Sequence, residues 1–246
     1  MHADVEAVIL CGGLGSRLRP AVPDLAKCLA PVGDRPFLEY VLLQLRAGGI
    51  RTAKLCVGYR SEQVAEYFEN GSRWGIRLTY SAERQALGTA GAVRNAGVSG
   101  KHELLLVLNG DSILELDLEK LIGFHRARRA RATLALAHAE PGERFGTVHT
   151  DAHGKVTGFE EKANGKNGDR RTTGARINGG VYVLHREILE EIPDAPPPVS
   201  LETDIFPKLI GRGFFGFLCD GYFTDIGVPD DYRRAQRELP RRFGPC

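Results

Sequence analysis

Through its first half the chain alternates short apolar, often β-branched runs with segments of helical period, and this alternation constrains the fold more than any other feature. Strands are predicted at AVIL (7–10), AKLCV (53–57), IRLTY (76–80) and LLLVLN (104–109). Between the first two, PFLEYVLLQLRAGG puts Leu38, Val41, Leu42 and Leu45 on one helical face, and Gly48 and Gly49 follow as a stop. Parallel strands need crossover connections rather than hairpins, so this rhythm predicts a parallel sheet with helices on both faces and ligands at the carboxyl ends of the strands.

The second half is less regular. ATLALAHA, GTVHT, KVTGFE and INGGVYVL read as strands of a mixed or antiparallel extension, followed by a helix around SLETDIFPKLI. The short strands FFGFLCD and YFTDIG precede a last helix opened by Pro229. ANGKNGDRRTTG is a polar, glycine-rich excursion that reads as a surface loop. No repeat or linker forces a boundary, so one α/β domain over 1–246 is expected.

A length of 246 residues with 42% hydrophobic and 26% charged residues suits a globular protein with a sizeable core. A net charge of +2 gives no reason to expect a nucleic-acid or membrane partner, while leaving room for phosphorylated small molecules bound by local cations. The five cysteines, Cys11, Cys28, Cys56, Cys219 and Cys246, form no CxxC pair and read as reduced thiols. With no basic, apolar leader and no membrane-length run, the expected location is cytoplasmic.

The first strand runs into LCGGLGSRLRP (10–20), where glycines let backbone N–H groups approach an anion. Gly12, Gly13 and Gly15 lack the third glycine of the dinucleotide fingerprint, and no Lys-Ser or Lys-Thr closes the loop as in the Walker pattern. Arg17, Arg19 and Lys27 follow instead, cations suited to a triphosphate. For the loop alone, a turn with solvated arginines is an equal reading.

LCGGLGSRLRP followed by AKCLAPVGDRPFLEYVL resembles the signature region of the sugar-phosphate nucleotidylyltransferases. The resemblance extends over nearly the whole chain and implies a Rossmann-like three-layer αβα sandwich with a mixed, mostly parallel sheet. It implies a nucleotide-binding half over about 1–112 and a sugar-phosphate-binding half over about 113–246. Ala26 and Cys28 depart from the family, which usually has prolines flanking the lysine. On the nucleotide side the resemblance points to Leu10, Gly12, Gly13, Gly15, Ser16, Arg17, Lys27, Glu83, Gly88, Thr89, Asn109 and Gly110. On the sugar-phosphate side it points to Gly146, Glu161, Lys162, Asn178, Gly179 and Glu202, with Asp204 as a weaker candidate. Asp111 and Asp225 stand at the family's metal-binding aspartates, which implies Mg²⁺. A dimer or tetramer is implied only because many relatives form one.

The chemistry is consistent with such a set. Joining an NTP to a sugar 1-phosphate brings two polyanions together, and Mg²⁺ is usually held by one or two carboxylates plus phosphate oxygens. The attacking phosphate is already an anion, so no general base is required, and Arg17, Lys27, Asp111 and Lys162 would act by positioning and electrostatics. Within the family the segments are most similar to the small guanylyltransferases acting on D-glycero-α-D-manno-heptose 1-phosphate, above all SLETDIFPKL and DGYFTDIGVPDDY. Gly91 stands where thymidylyltransferases usually carry a base-reading Gln; UTP, CTP and ATP stay open beside GTP. The chain ends soon after the last helix, so one activity is expected.

Each feature also has an ordinary structural reading. NGD is often a turn, EEK a solvated charge cluster, and Glu202 and Asp204 a helix start. HRARRARA reads as a solvated helix end, and His149 and His153 flank a turn. A non-catalytic nucleotide-sugar sensor would lack Lys27 or the aspartates, all of which are present. An oxidoreductase would need the missing glycine.

Overall fold

A computed structural model describes residues 4–97, 100–138, 147–160 and 176–244. The first half contains β1 (Val5–Cys11), β2 (Pro31–Val32), β3 (Arg35–Pro36), α1 (Phe37–Ala47), β4 (Thr52–Val57), α2 (Ser61–Phe68), β5 (Arg77–Ala82), α3 (Gly88–Asn95) and β6 (Leu104–Asn109). It continues with β7 (Ser112–Leu114), α4 (Leu118–Ala127), β8 (Ala132–His138), β9 (Thr147–Thr150), β10 (Val156–Glu160), β11 (Arg176–His185) and α5 (Ile188–Glu191). Last come α6 (Phe206–Leu209), β12 (Phe214–Leu218), β13 (Phe223–Asp225) and α7 (Pro229–Phe243).

Among the described residues the main sheet has nine strands, with the path β10-β9-β11-β6-β1-β4-β5 and β8 and β12 branching from β11. β6, β1, β4 and β5 are mutually parallel, as the alternation predicts. β11 runs antiparallel to β6, β8 and β9 and turns the sheet into a mixed one. Successive side chains of a strand face opposite sides, and both sides here are apolar. Ala7 and Ile9 of β1 and Leu106 and Leu108 of β6 join one core with α1, α4 and α7. Val8, Leu105 and Val107 join the other with α3, Ile188, Phe206 and Leu209. This is the expected αβα sandwich.

The helix expected around 200–210 forms in two pieces, a π-helical turn over Leu201–Ile205 and then α6. Pro207 has no N–H to return to the preceding turn, so one regular ladder cannot run through the segment. β13 leaves the main sheet and pairs antiparallel with β7, setting Asp225 opposite Ser112. No helix among the described residues is long and apolar enough to cross a membrane.

Candidate active site

β1 and β6 are neighbours, so the segments following them emerge at the same edge of the sheet. Gly110 N–H donates to the carbonyl of Leu10 at 2.9 Å and ties the two together. Gly15 takes φ +60°, a left-handed conformation that disfavours any Cβ, and its carbonyl accepts from Leu18 and Arg19, both at 3.0 Å. At Gly12 a Cβ would come within 2.6 Å of Glu83 Oε1, whereas at Gly13 it would meet no protein atom within 4 Å. Arg19 is occupied, bonding the Leu14 carbonyl and lying 4.8 Å from the Tyr59 ring centroid. Arg17 and Ser16 are exposed, and Arg17 has no ion-pair partner among the described residues.

Lys27 opens a short 3-10 turn, Lys27–Leu29. Ala26 has φ −59° and ψ 139°, angles that proline also adopts, and its N–H donates to Gln63 Oε1 at 3.2 Å. A proline could not make that bond. Gln63 of α2 thus holds the backbone just before Lys27. Lys27 Nζ reaches Asp111 Oδ2 at 2.5 Å. The Asp111 carbonyl accepts from Ile226 N–H at 3.0 Å, which brings the residue after Asp225 alongside. The Asp225 carboxylate is largely buried, and its Oδ1 accepts from Gly227 N–H at 2.9 Å.

A second polar network joins residues expected on opposite substrate sides. Glu202 Oε2 accepts from the hydroxyls of Thr89 (2.6 Å) and Ser200 (2.8 Å), and Oε1 accepts from Tyr182 at 3.2 Å. Asn178 Nδ2 donates to the Tyr182 hydroxyl at 2.9 Å, while its Oδ1 accepts from Gly180 N–H. Burial pushes the fully buried Tyr182 phenol well above its ordinary value, with the Glu202 charge acting in the same direction. Gly88 opens α3 against this segment, with Ala90 and Gly91 N–H groups donating to the Val199 carbonyl. Gly179 packs tightly against Leu114 and Ala135.

The Glu83 carboxyl, beside Gly12, is raised above its ordinary value by burial, partly offset by the Leu87 N–H at 3.4 Å. Asp204 Oδ2 accepts from Ser200 N–H at 2.7 Å, which fits the helix-start reading of that residue. Gly146, Glu161 and Lys162 lie outside the described residues, as do 163–174 and Cys246. The histidine turn is held by Asp151, whose Oδ1 accepts from His153 and Lys155 N–H. In the arginine run, Arg126 pairs with Asp4, Arg131 with Glu191, and Arg128 lies over Phe124. The other four cysteines are free and buried.

Tyr182, Ser200 and Gln63 were not foreseen from sequence as site residues. Tyr182 lies in an apolar strand where only its hydroxyl distinguishes it, and Ser200 had the signal of a capping serine before Leu-Glu.

Residues 6–242 match the family model described as nucleotidyl transferase. The chain belongs to that family. It is 40% identical over 96% of its length to D-glycero-alpha-D-manno-heptose 1-phosphate guanylyltransferase of Aneurinibacillus thermoaerophilus, covering 98% of that protein. It is 34% identical over 98% of its length to mannose-1-phosphate guanylyltransferase of Mycobacterium tuberculosis, of which it spans 66%. Crystalline HddC from Yersinia pseudotuberculosis complexed with GMP-PN superposes with a TM-score of 0.80 at 29% identity, over 95% of this chain and 99% of that one.

Proposed function

We propose that this nucleotidyltransferase moves GMP from GTP to D-glycero-α-D-manno-heptose 1-phosphate, giving the GDP-sugar and pyrophosphate. The observation that carries the proposal is the Lys27–Asp111 ion pair beside the glycine loop at the ends of β1 and β6, with the strand end that carries Asp225 tied to Asp111 through the Ile226 N–H. The near full-length similarity to a heptose 1-phosphate guanylyltransferase supports the substrate pair.

Among the described residues no three His, Cys, Asp or Glu side chains cluster as a metal cage. Two carboxylates lie at adjoining strand ends, and the buried Ser112 Oγ and Asn109 Oδ1 have no partner among the described residues; such oxygen donors suit Mg²⁺. Asp111 and Asp225 would hold that ion. When bound, it would offset charge on the reacting phosphates.

The residues themselves supply the rest. The loop at Gly13 leaves room for a phosphate to approach the backbone, and Arg17 offers a guanidinium to the departing pyrophosphate. Lys27 is within reach of both the loop and Asp111, so it can hold the triphosphate in place as a fixed cation. Lys162, Glu161 and Gly146 take the sugar phosphate in this reading, with Asn178, Gly179 and Glu202. The sugar 1-phosphate oxygen attacks the α-phosphorus in line, and the bond from that phosphorus to the bridging oxygen of pyrophosphate breaks. The half over about 1–112 binds nucleotide and the half over about 113–246 binds sugar phosphate, in the cytoplasm.

Guanine presents its N1–H and N2 amino group side by side as donors, and a carboxylate accepts both. Glu83, at the nucleotide loop, is the residue assigned to that task. Similarity to a mannose-1-phosphate guanylyltransferase favours mannose 1-phosphate as the second reading of the acceptor. Phosphorus NMR of protein, Mg²⁺, GTP and the heptose 1-phosphate tests the reaction. New diphosphate doublets of a GDP-sugar beside pyrophosphate are expected, and unchanged GTP signals would refute it.

A further inference from the structure

Lysine carries its charge on a flexible stem, so it serves as a fixed cation only where its backbone and its stem are both held. The stem of Lys27 lies along Gly15, where an added Cβ would come within 3.1 Å of the lysine Cβ and 3.6 Å of its Cγ. The head meets Asp111. The backbone turns at once after it, with Leu29 N–H donating to the Ala26 carbonyl at 2.8 Å and Ala30 N–H to the Lys27 carbonyl at 3.0 Å. Entry into that turn has no such local ladder. Pro23, Asp24 and Leu25 are exposed, and the bonds just upstream stay local, Ala21 and Val22 N–H both donating to the Leu18 carbonyl.

The hold at this entry comes from α2. Gly58, in the turn from β4 into α2, packs so closely on the glycine loop that a Cβ there would come within 2.7 Å of the Gly12 carbonyl oxygen. In the first turn of α2, the half-buried Gln63 spends both ends of its amide on the strip before Lys27. Its Oε1 accepts from Ala26 N–H at 3.2 Å, and its Nε2 donates to the Asp24 carbonyl at 3.1 Å. An N–H can be met only by the amide oxygen and a carbonyl only by the amide nitrogen, so this orientation alone satisfies both. Ala26 is 1% exposed, and a buried N–H that loses its acceptor is costly, so the strip would shift if the amide were removed.

We propose that Gln63 is a positioning residue for the transfer reaction. By fixing the backbone at Asp24 and Ala26 it presets the Lys27 ammonium, so that an arriving triphosphate does not have to order this segment itself. This role rests on the reading of Lys27 as the cation that holds the triphosphate, and it assigns the placement of that cation to a helix outside the glycine loop.

Q63M removes both hydrogen bonds while keeping the length of the side chain and the helix propensity of α2. Calorimetric titration of the full-length protein with GTP and Mg²⁺, without sugar phosphate, compares the wild type with Q63M, K27A and Q63M/K27A. Q63M should melt within a few degrees of the wild type yet bind GTP about five- to tenfold more weakly. K27A should lose at least as much. The double variant should match K27A within about twofold, because Gln63 acts through the lysine. In steady-state kinetics, KM for the sugar 1-phosphate should be nearly unchanged in Q63M. Wild-type GTP affinity in Q63M beside a weakened K27A would overturn the role of Gln63 alone. Losses that multiply in the double variant would also overturn it, by making Gln63 a support that is independent of Lys27. Wild-type affinity in K27A would instead refute the reading of Lys27, and the role of Gln63 with it.

Discussion

The Lys27 ammonium stands 2.5 Å from the Asp111 carboxylate, although the two lie 84 positions apart in the chain. Without substrates they neutralise each other. In the proposed reaction their duties separate, Lys27 holding phosphate oxygens while Asp111 would hold the metal ion. The Asp111 side chain is 40% exposed, so the pair itself contributes at most about 1 kcal/mol to stability. Asp111→Asn should therefore melt within a few degrees of the wild type yet lose on the order of 10²-fold or more in turnover. Its affinity for GTP without Mg²⁺ should change only a few-fold. Steady-state kinetics beside nucleotide titration checks this, and unchanged turnover would remove Asp111 from the mechanism.

Glu83 packs over Gly12 and is assigned to the guanine edge. Glu83→Gln exchanges one acceptor oxygen for a donor nitrogen, which faces guanine donors unfavourably. The ratio of kcat/KM for GTP over ATP should fall by about tenfold or more. A ratio that does not move would assign base selection to another group.

The Tyr182 hydroxyl connects Asn178 and Glu202. Tyr182→Phe deletes that one oxygen and should cost about 1 kcal/mol of stability, since its buried partners lose a bond. If the network orients the sugar side, KM for the sugar 1-phosphate should rise several-fold while KM for GTP changes less. Equal KM values with only a lowered melting temperature would make Tyr182 purely structural.

His125 predicts a pH dependence of stability. Burial holds its ring down at about 4 in the folded protein against an ordinary 6.5, so the unfolded chain binds the proton first as pH falls. The contribution is full above about pH 6.5 and is lost progressively down to about pH 4, by about 3 kcal/mol at most. Chemical denaturation between pH 7 and 5 should show the fall, and His125→Gln should flatten it. Equal slopes in both proteins would contradict this.

The parallel core was legible because its strands are short apolar runs and α1 has both a periodic face and a glycine stop. The strand ends carrying Asp111 and Asp225 were legible through their motifs. Pairing of β13 with β7 was not, because three-residue strands carry too little pattern, yet that pairing sets Asp225 opposite Ser112. Tyr182 read as one more apolar strand residue, since burial of a ring and the bonding of its hydroxyl leave the same letter in the sequence. Ala26 departs from the family's proline-flanked lysine, and its N–H bond to Gln63, which no proline could make, is legible only in the structure.

The most direct test of the central claim is pyrophosphate release by the purified protein with Mg²⁺, each of GTP, ATP, UTP, CTP and dTTP, and a panel of sugar 1-phosphates. The account predicts the highest kcat/KM for GTP with D-glycero-α-D-manno-heptose 1-phosphate, above GTP with mannose 1-phosphate. A higher value with another nucleotide, or no release with any pair, would contradict it.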